Sequence, residues 1–291
     1  MSTYNSNLEN TAKSRTSKSI FRPSRFEFSE LTIKIICAVC LLLYVIGTII
    51  FDKKIMEIMI AGQTSVIDAM NSDQRLASTM TLATIFQAMG GFSVPLFAFM
   101  LVEGFLETAD CKKYLGSIVL LAFITEIPYD FAKSGSTFFI AAQNPVWGLV
   151  IAFIMLLALK KVFNKEKPWT LLVCILVVVV ALFWGVIMFS EFAIMTVLYT
   201  LVYYVFRDKR NTGILVSVLL CIAAGVLGML FSQAKVATNV NGLIYIPGVL
   251  AAFPVFLYGG KRNIKEGSYK YVFYAIVPVI YLICGIVAKY I

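Results

Sequence analysis

Histidine is missing from all 291 residues of this chain, and with it the side chain most often used as a general base near neutral pH. Charge is scarce as well: 14% of residues are Asp, Glu, Lys or Arg, against 60% hydrophobic, with a mean hydropathy of +0.86. A soluble domain carries about 25% charged residues, so a soluble enzyme or nucleic-acid-binding module is excluded. There is no Gly-rich phosphate loop, no internal repeat and no cluster of metal-ligand type. The 6 cysteines build no disulfide framework, because Cys37, Cys40, Cys174, Cys221 and Cys284 fall in apolar runs and read as small packing residues. Cys37 and Cys40 form a CxxC on one helical face, without the further ligands that a zinc site needs.

What is present is a series of apolar windows, near 31–51, 79–106, 115–131, 145–163, 169–188, 191–206, 213–232, 243–258 and 271–289. Each is long enough, or nearly so, to cross hydrocarbon. The expected fold is all-α: a polytopic transmembrane helix bundle of about nine spans over residues 31–291, with no soluble domain. It follows a disordered basic tail over 1–30. That tail is polar, so 31–51 reads as an uncleaved anchor rather than a signal peptide. Gly90, Gly91 and Pro95 are expected to tilt, kink or break the second span.

Positive charge supports this division of the chain. Lys112 and Lys113, Lys160 to Lys167, Arg207 to Arg210 and Lys261 to Lys270 fall in alternate loops on the side of the basic tail, whereas the opposite loops hold few cations. Lys and Arg collect in short cytoplasmic loops, so the N-terminus is expected in the cytoplasm and the C-terminus outside. The net charge of +9 is accounted for by topology and calls for no nucleic-acid partner. Residues 52–78 are expected to include an interfacial helix carrying Ile55, Met56, Ile58, Met59 and Ile60. Tyr199, Tyr203, Tyr204 and Phe206 are expected to form an interfacial belt at the inner end of the sixth span.

Carboxylates inside apolar runs are the first functional candidates, because a bilayer tolerates them poorly. At about 1.5 Å per residue, Lys34 and Glu103 come out level, one turn in from the cytoplasmic surface, where an ion pair between them is expected. Glu126 and Asp130 lie roughly 16 and 22 Å deep on the same rise. Their i, i+4 spacing puts both on one helix face, with Pro128 distorting the turn between them. Two close carboxylates in a poor dielectric resist joint ionisation and can hold a proton between them, which suits acid–base chemistry. Alternatively, Asp130 ends the helix beside Tyr129 and Lys133, leaving Glu126 alone in the bilayer.

The same stretch carries a family resemblance. Pro95-Leu96-Phe97-Ala98-Phe99, then Val102-Glu103-Gly104-Phe105, Tyr114, Thr125-Glu126-Ile127-Pro128-Tyr129-Asp130 and Gln143-Asn144 resemble the TraX family of bacterial membrane proteins. These are a conjugation-associated group of membrane acyltransferases that includes the pilin N-acetylase. The likeness covers about residues 90–150, with Lys34 and Gly47 fitting at the first span. It implies a cytoplasmic-membrane protein that takes an acetyl or other acyl group from acyl-CoA and delivers it to the amine of a membrane peptide or pilin-like protein.

The family pattern has an Asp-His pair where this chain has Tyr44 and Val45, and an Arg where it has Gly91. Depth arithmetic places Val45, Gly91 and Asp130 at one level, where a base, a cation and a carboxylate would make an acyl-transfer site. Three readings follow. The first is an acyltransferase in which Glu126 or Asp130 serves as base with Tyr44 assisting, and Gly91, Gln143 and Asn144 stand near the acyl-CoA. The second is a member that keeps the fold, has lost the reaction and binds a peptide or membrane protein in the cavity. The third is a transporter with a proton or solute path through Glu126 and Asp130.

Overall fold

The computed structural model describes residues 27–60, 74–163, 168–232, 243–260 and 269–291. Most of the basic tail and residues 61–73, which hold the rest of the expected interfacial segment, lie outside the described residues. Helix α1 is Glu30–Val45 and passes through one π-helical stretch, Ile46–Phe51, into α2, Asp52–Ile60. Then come α3 (Gln74–Glu107), α4 (Cys111–Ser134), α5 (Val146–Phe163), α6 (Thr170–Ile187), α7 (Ala193–Val205) and α8 (Arg210–Ser232). A 3-10 helix, Leu243–Ala251, leads into α9 (Ala252–Leu257), and α10 is Tyr269–Tyr290.

Every apolar window of the sequence carries helix. Six of these helices are long and apolar enough to cross a membrane, and two shorter apolar ones, Ala193–Val205 and Ile244–Leu257, stand among them. A long exposed apolar face marks α6, where Leu171, Ile175, Val179, Phe183 and Trp184 are each more than half exposed. Such a face suits lipid rather than water.

Local sequence sets the helix ends. Ser29 caps α1 by accepting from the Thr32 amide at 3.2 Å, and Asp110 caps α4 by accepting from the Lys112 and Lys113 amides at 3.0 Å; each satisfies donors that a helix start leaves unpaired. Gly135, at φ 72°, closes α4 in the left-handed conformation that glycine adopts without a Cβ clash. Of the expected tilt, kink or break, the break is absent: α3 runs continuously for 34 residues through Gly90, Gly91 and Pro95. At about 1.5 Å per residue it is much longer than a hydrocarbon core, so it extends past the bilayer or tilts strongly.

Close backbone contact explains the glycines instead. A Cβ built on Gly91 would stand 1.6 Å from the Ile244 carbonyl oxygen, and one on Gly248 would stand 2.9 Å from the Gly91 carbonyl oxygen. Glycine on both sides lets α3 and the 3-10 helix touch through their backbones. On the opposite side, Gly285 of α10 presses against Ala132 of α4, where a Cβ would come within 2.9 Å. The first contact seats the 3-10 helix on α3, which also packs against α1 and α7; the second joins α10 to α4, and α10 in turn packs on α1.

The aromatic cluster of α7 is not an interfacial belt. Tyr199, Tyr203 and Tyr204 are all buried, with Tyr203 edge-on to Phe99 at 5.4 Å and Tyr204 edge-on to Phe105 at 5.9 Å. Their rings face α3 because α7 is packed inside the bundle, so their position in the sequence marked an end of the span but not its inward face. Cys37, Cys40, Cys174, Cys221 and Cys284 are buried, as their apolar runs indicate.

Candidate functional site

A cavity of about 590 Å³ enters the bundle at the end where α1 begins and where α3 turns into α4. Its mouth holds Glu30, Lys34, Glu103, Glu107, Asp110 and Lys113; its throat is lined by apolar residues such as Leu41, Val94, Phe97, Leu101, Ile118 and Ile276. At the floor are Tyr44, Gly90, Ser93, Phe192 and Thr196. From Lys34 to Tyr44 the α1 helix rises about 15 Å, so the cavity reaches deep into the bundle.

At the mouth, Lys34 pairs with Glu30 one turn before it rather than with Glu103. Both Lys34 and Glu103 do line the cavity. Depth along the helix axis does not fix which way a side chain turns, and Glu30, the i−4 neighbour, takes the lysine. The cation acting most strongly on Glu103 is Arg210. Its guanidinium is held elsewhere, donating to the Tyr258 carbonyl at 2.7 Å and lying over the rings of Tyr258 and Phe99. Glu103 thus takes part in none of the ion pairs among the described residues.

At the floor, the Tyr44 hydroxyl donates to Oε2 of Glu191 at 2.9 Å. The other carboxylate oxygen of Glu191 pairs with Lys133 at 2.7 Å. Tyr44 is clamped in place: a Cβ on Gly90 would stand 2.5 Å from its ring, and the ring of Phe192 meets it edge-on at 5.3 Å. Glu191 stands in the turn between α6 and α7, flanked by Phe189 at φ 48° and Phe192 at φ 58°. Left-handed backbone at a non-glycine residue costs on the order of 1–3 kcal/mol and is found where surrounding contacts impose it. Those contacts are hydrogen bonds to residues just before α5: the Gln143 amide donates to the Phe189 carbonyl at 3.1 Å, the Glu191 amide to the Gln143 carbonyl at 3.3 Å, and Ser190 Oγ to the Asn144 carbonyl at 2.9 Å.

Glu126 and Asp130 do share the α4 face that meets the following segment, as their spacing required, but they have separate partners. Glu126 is held by Asn144 and by the Trp147 indole, the latter at 2.7 Å. Asp130 is buried and accepts from the Phe139 amide at 3.0 Å. Neither lines the cavity. Asn144 is fully buried and fully used, donating to the Ala122 carbonyl at 3.0 Å and to Glu126 while accepting from the Val146 amide at the start of α5.

Val45, Gly91 and Asp130 sit on neighbouring helices without facing a common space. Val45 is sealed in a cluster with Tyr129, Ile280 and Tyr281; Gly91 meets the Ile244 backbone; Asp130 turns to Phe139. The residues that do converge are the preceding ones on the first two helices, Tyr44 and Gly90, together with Glu191. Of the residues marked by sequence for chemistry or cofactor, the cavity wall includes Tyr44 and leaves out Glu126, Asp130, Gly91, Gln143 and Asn144. Sequence reasoning missed Glu191, although a lone carboxylate between two apolar runs was a usable signal.

An all-helical bundle with several apolar spans and a deep cavity defines a multi-pass membrane protein. The family model described as "TraX protein" matches residues 29–287, and this chain belongs to that family. It is also 27% identical over 210 residues, 68% of this chain and 80% of the relative, to "Probable fimbrial assembly protein FimC, serogroup H1" of Dichelobacter nodosus. No solved structure matches the chain.

Proposed function

We propose that this protein serves pilus or fimbrial assembly by holding an apolar, amine-bearing segment of a subunit or partner in its cavity, without performing the acyl transfer that the family resemblance implies. The observation that carries this reading is the placement of Glu103, a carboxylate that stands in the mouth of an apolar cavity and belongs to none of the ion pairs among the described residues. An amine on an apolar chain matches that lining in both charge and polarity. Assembly of pili or fimbriae is suggested by the printed description of the relative.

Among the described residues, the cavity mouth suits acyl-CoA poorly: phosphates call for cations, whereas Glu30, Glu103, Glu107 and Asp110 stand there against Lys34 and Lys113, with Lys34 engaged by Glu30. The two positions at which the family pattern has His and Arg support the same view. Val45 is completely buried among apolar and aromatic side chains, and the Ile244 carbonyl fills the space into which a side chain at 91 would grow.

With the N-terminal side cytoplasmic, as the charge bias predicts, the cavity mouth, which lies at the start of α1, would open at the cytoplasmic face. The test is transfer of labelled acetyl from acetyl-CoA to short apolar peptides by the purified protein in detergent, together with CoA binding by calorimetry. Neither transfer nor binding is expected. Acetylated peptide, or saturable CoA binding abolished by changes in the mouth, would restore the acyltransferase reading.

A further inference from the structure

Beyond the cavity floor lies a polar group that binding a segment from the mouth does not use. Glu191 and Lys133 are about one-fifth exposed at the end of the bundle opposite the mouth. Asp52 of α2 acts electrostatically on both and is held by Gln87 Nε2 of α3 at 2.7 Å. Tyr129 of α4 and Tyr281 of α10 face the same carboxylate, and the Tyr281 hydroxyl has no hydrogen-bond partner among the described residues. α1, α2, α4 and α10 thus each bring a polar or charged group toward Glu191.

Tyr44 is where this cluster meets the cavity. It lines the cavity floor, and its hydroxyl is bonded to Glu191. From the mouth to the opposite face, the polar route is then the cavity, one phenol, one carboxylate and one partly exposed lysine. A cavity of about 590 Å³ has room for many waters at roughly 30 Å³ each, and Ser93 and Thr196 near the floor offer them polar contacts.

We infer that Tyr44 and Glu191 pass protons between the cavity and the opposite face of the membrane, giving the protein a proton-conducting path that begins at the floor of the cavity proposed to hold the segment. In each hop a hydronium ion in the cavity protonates the Tyr44 oxygen as that hydroxyl gives its own proton to the Glu191 carboxylate. Glu191, about one-fifth exposed beside Lys133, passes its proton to water on the opposite face, so one hydronium is consumed and one formed and no bond other than O–H is made or broken. The path does not involve Glu126 or Asp130, whose hydrogen bonds lead to Asn144, Trp147 and Phe139 instead.

The test uses the full chain reconstituted in vesicles that contain a trapped pH-sensitive dye, with a potassium diffusion potential as driving force. Wild-type protein is expected to carry protons faster than vesicles without protein, and more slowly in D2O. Tyr44→Phe and Glu191→Gln should lose that excess, whereas Glu126→Gln should keep it. A wild-type rate equal to empty vesicles, full conduction by Tyr44→Phe, or no change in D2O would each overturn the inference. The solvent isotope measurement needs only the wild-type chain, so a rate unchanged in D2O overturns the inference even where a variant fails to fold. Segment binding is read separately by peptide affinity, so failure of one proposal leaves the other standing.

Discussion

Tyr44 and Glu191, 147 positions apart in sequence, meet at 2.9 Å on the floor of the cavity. The bond ties the first span to the turn between α6 and α7, and Lys133 brings in α4 through the other carboxylate oxygen. Tyr44→Phe leaves Glu191 with its lysine and should cost about 1–3 kcal/mol, as expected for an interior acceptor that loses one donor. Glu191→Ala strands both the lysine and the phenol and should cost more, about 3–5 kcal/mol. Thermal unfolding of the purified variants in detergent checks the order; equal and negligible shifts would contradict it.

Gly91 and Gly116 give opposite expectations for the same change. A Cβ at 91 runs into the Ile244 carbonyl, while one at Gly116 meets nothing within 4 Å. Gly91→Ala should destabilise by about 1–3 kcal/mol through overpacking. Gly116→Ala should be neutral or stabilise by up to about 1 kcal/mol, since alanine is the better helix residue. The two melting temperatures should therefore move apart.

Lys34 provides a test of how depth arithmetic can mislead. A double-mutant cycle of Lys34→Met with Glu30→Gln should show coupling of about 0.3–0.5 kcal/mol, the usual scale for an i, i+4 pair. The cycle with Glu103→Gln should be additive within about 0.3 kcal/mol. Strong coupling in the second cycle would return Lys34 to Glu103.

Asn144 is used at both ends of its amide, so it tolerates little change. Asn144→Ala removes the cap of α5 and two donors near α4, and should cost about 2–4 kcal/mol. Asn144→Asp should be no better, because it keeps the acceptor for Val146 but sets a second carboxylate against Glu126. Yield and unfolding temperature report the result.

The bundle was largely legible in the sequence, because hydropathy windows depend on local composition and each of them became helix. What could not be read was direction around each axis. Lys34 and Glu103 line one cavity without pairing; Tyr199, Tyr203 and Tyr204 lie toward a helix end while their rings turn inward. Val45, Gly91 and Asp130 were placed at one depth, yet the converging positions are Tyr44 and Gly90, one residue earlier on each helix. A helix turns about 100° per residue, so a single step in register exchanges cavity for core. Glu191 escaped notice because its partners are brought by α1 and α4, and a contact across 147 positions leaves no periodic trace in the chain.

The central claim is that Glu103 and the apolar throat recognise an amine on an apolar segment. The direct measurement is the affinity of the purified protein in detergent for a short apolar peptide with a free N-terminal amine, compared with the same peptide acetylated. The free amine should bind about 10–100-fold more tightly, the equivalent of one charge-assisted hydrogen bond of about 1.5–3 kcal/mol, and Glu103→Gln should abolish the difference. Equal affinity for the two peptides, or a preference that survives Glu103→Gln, would contradict the account.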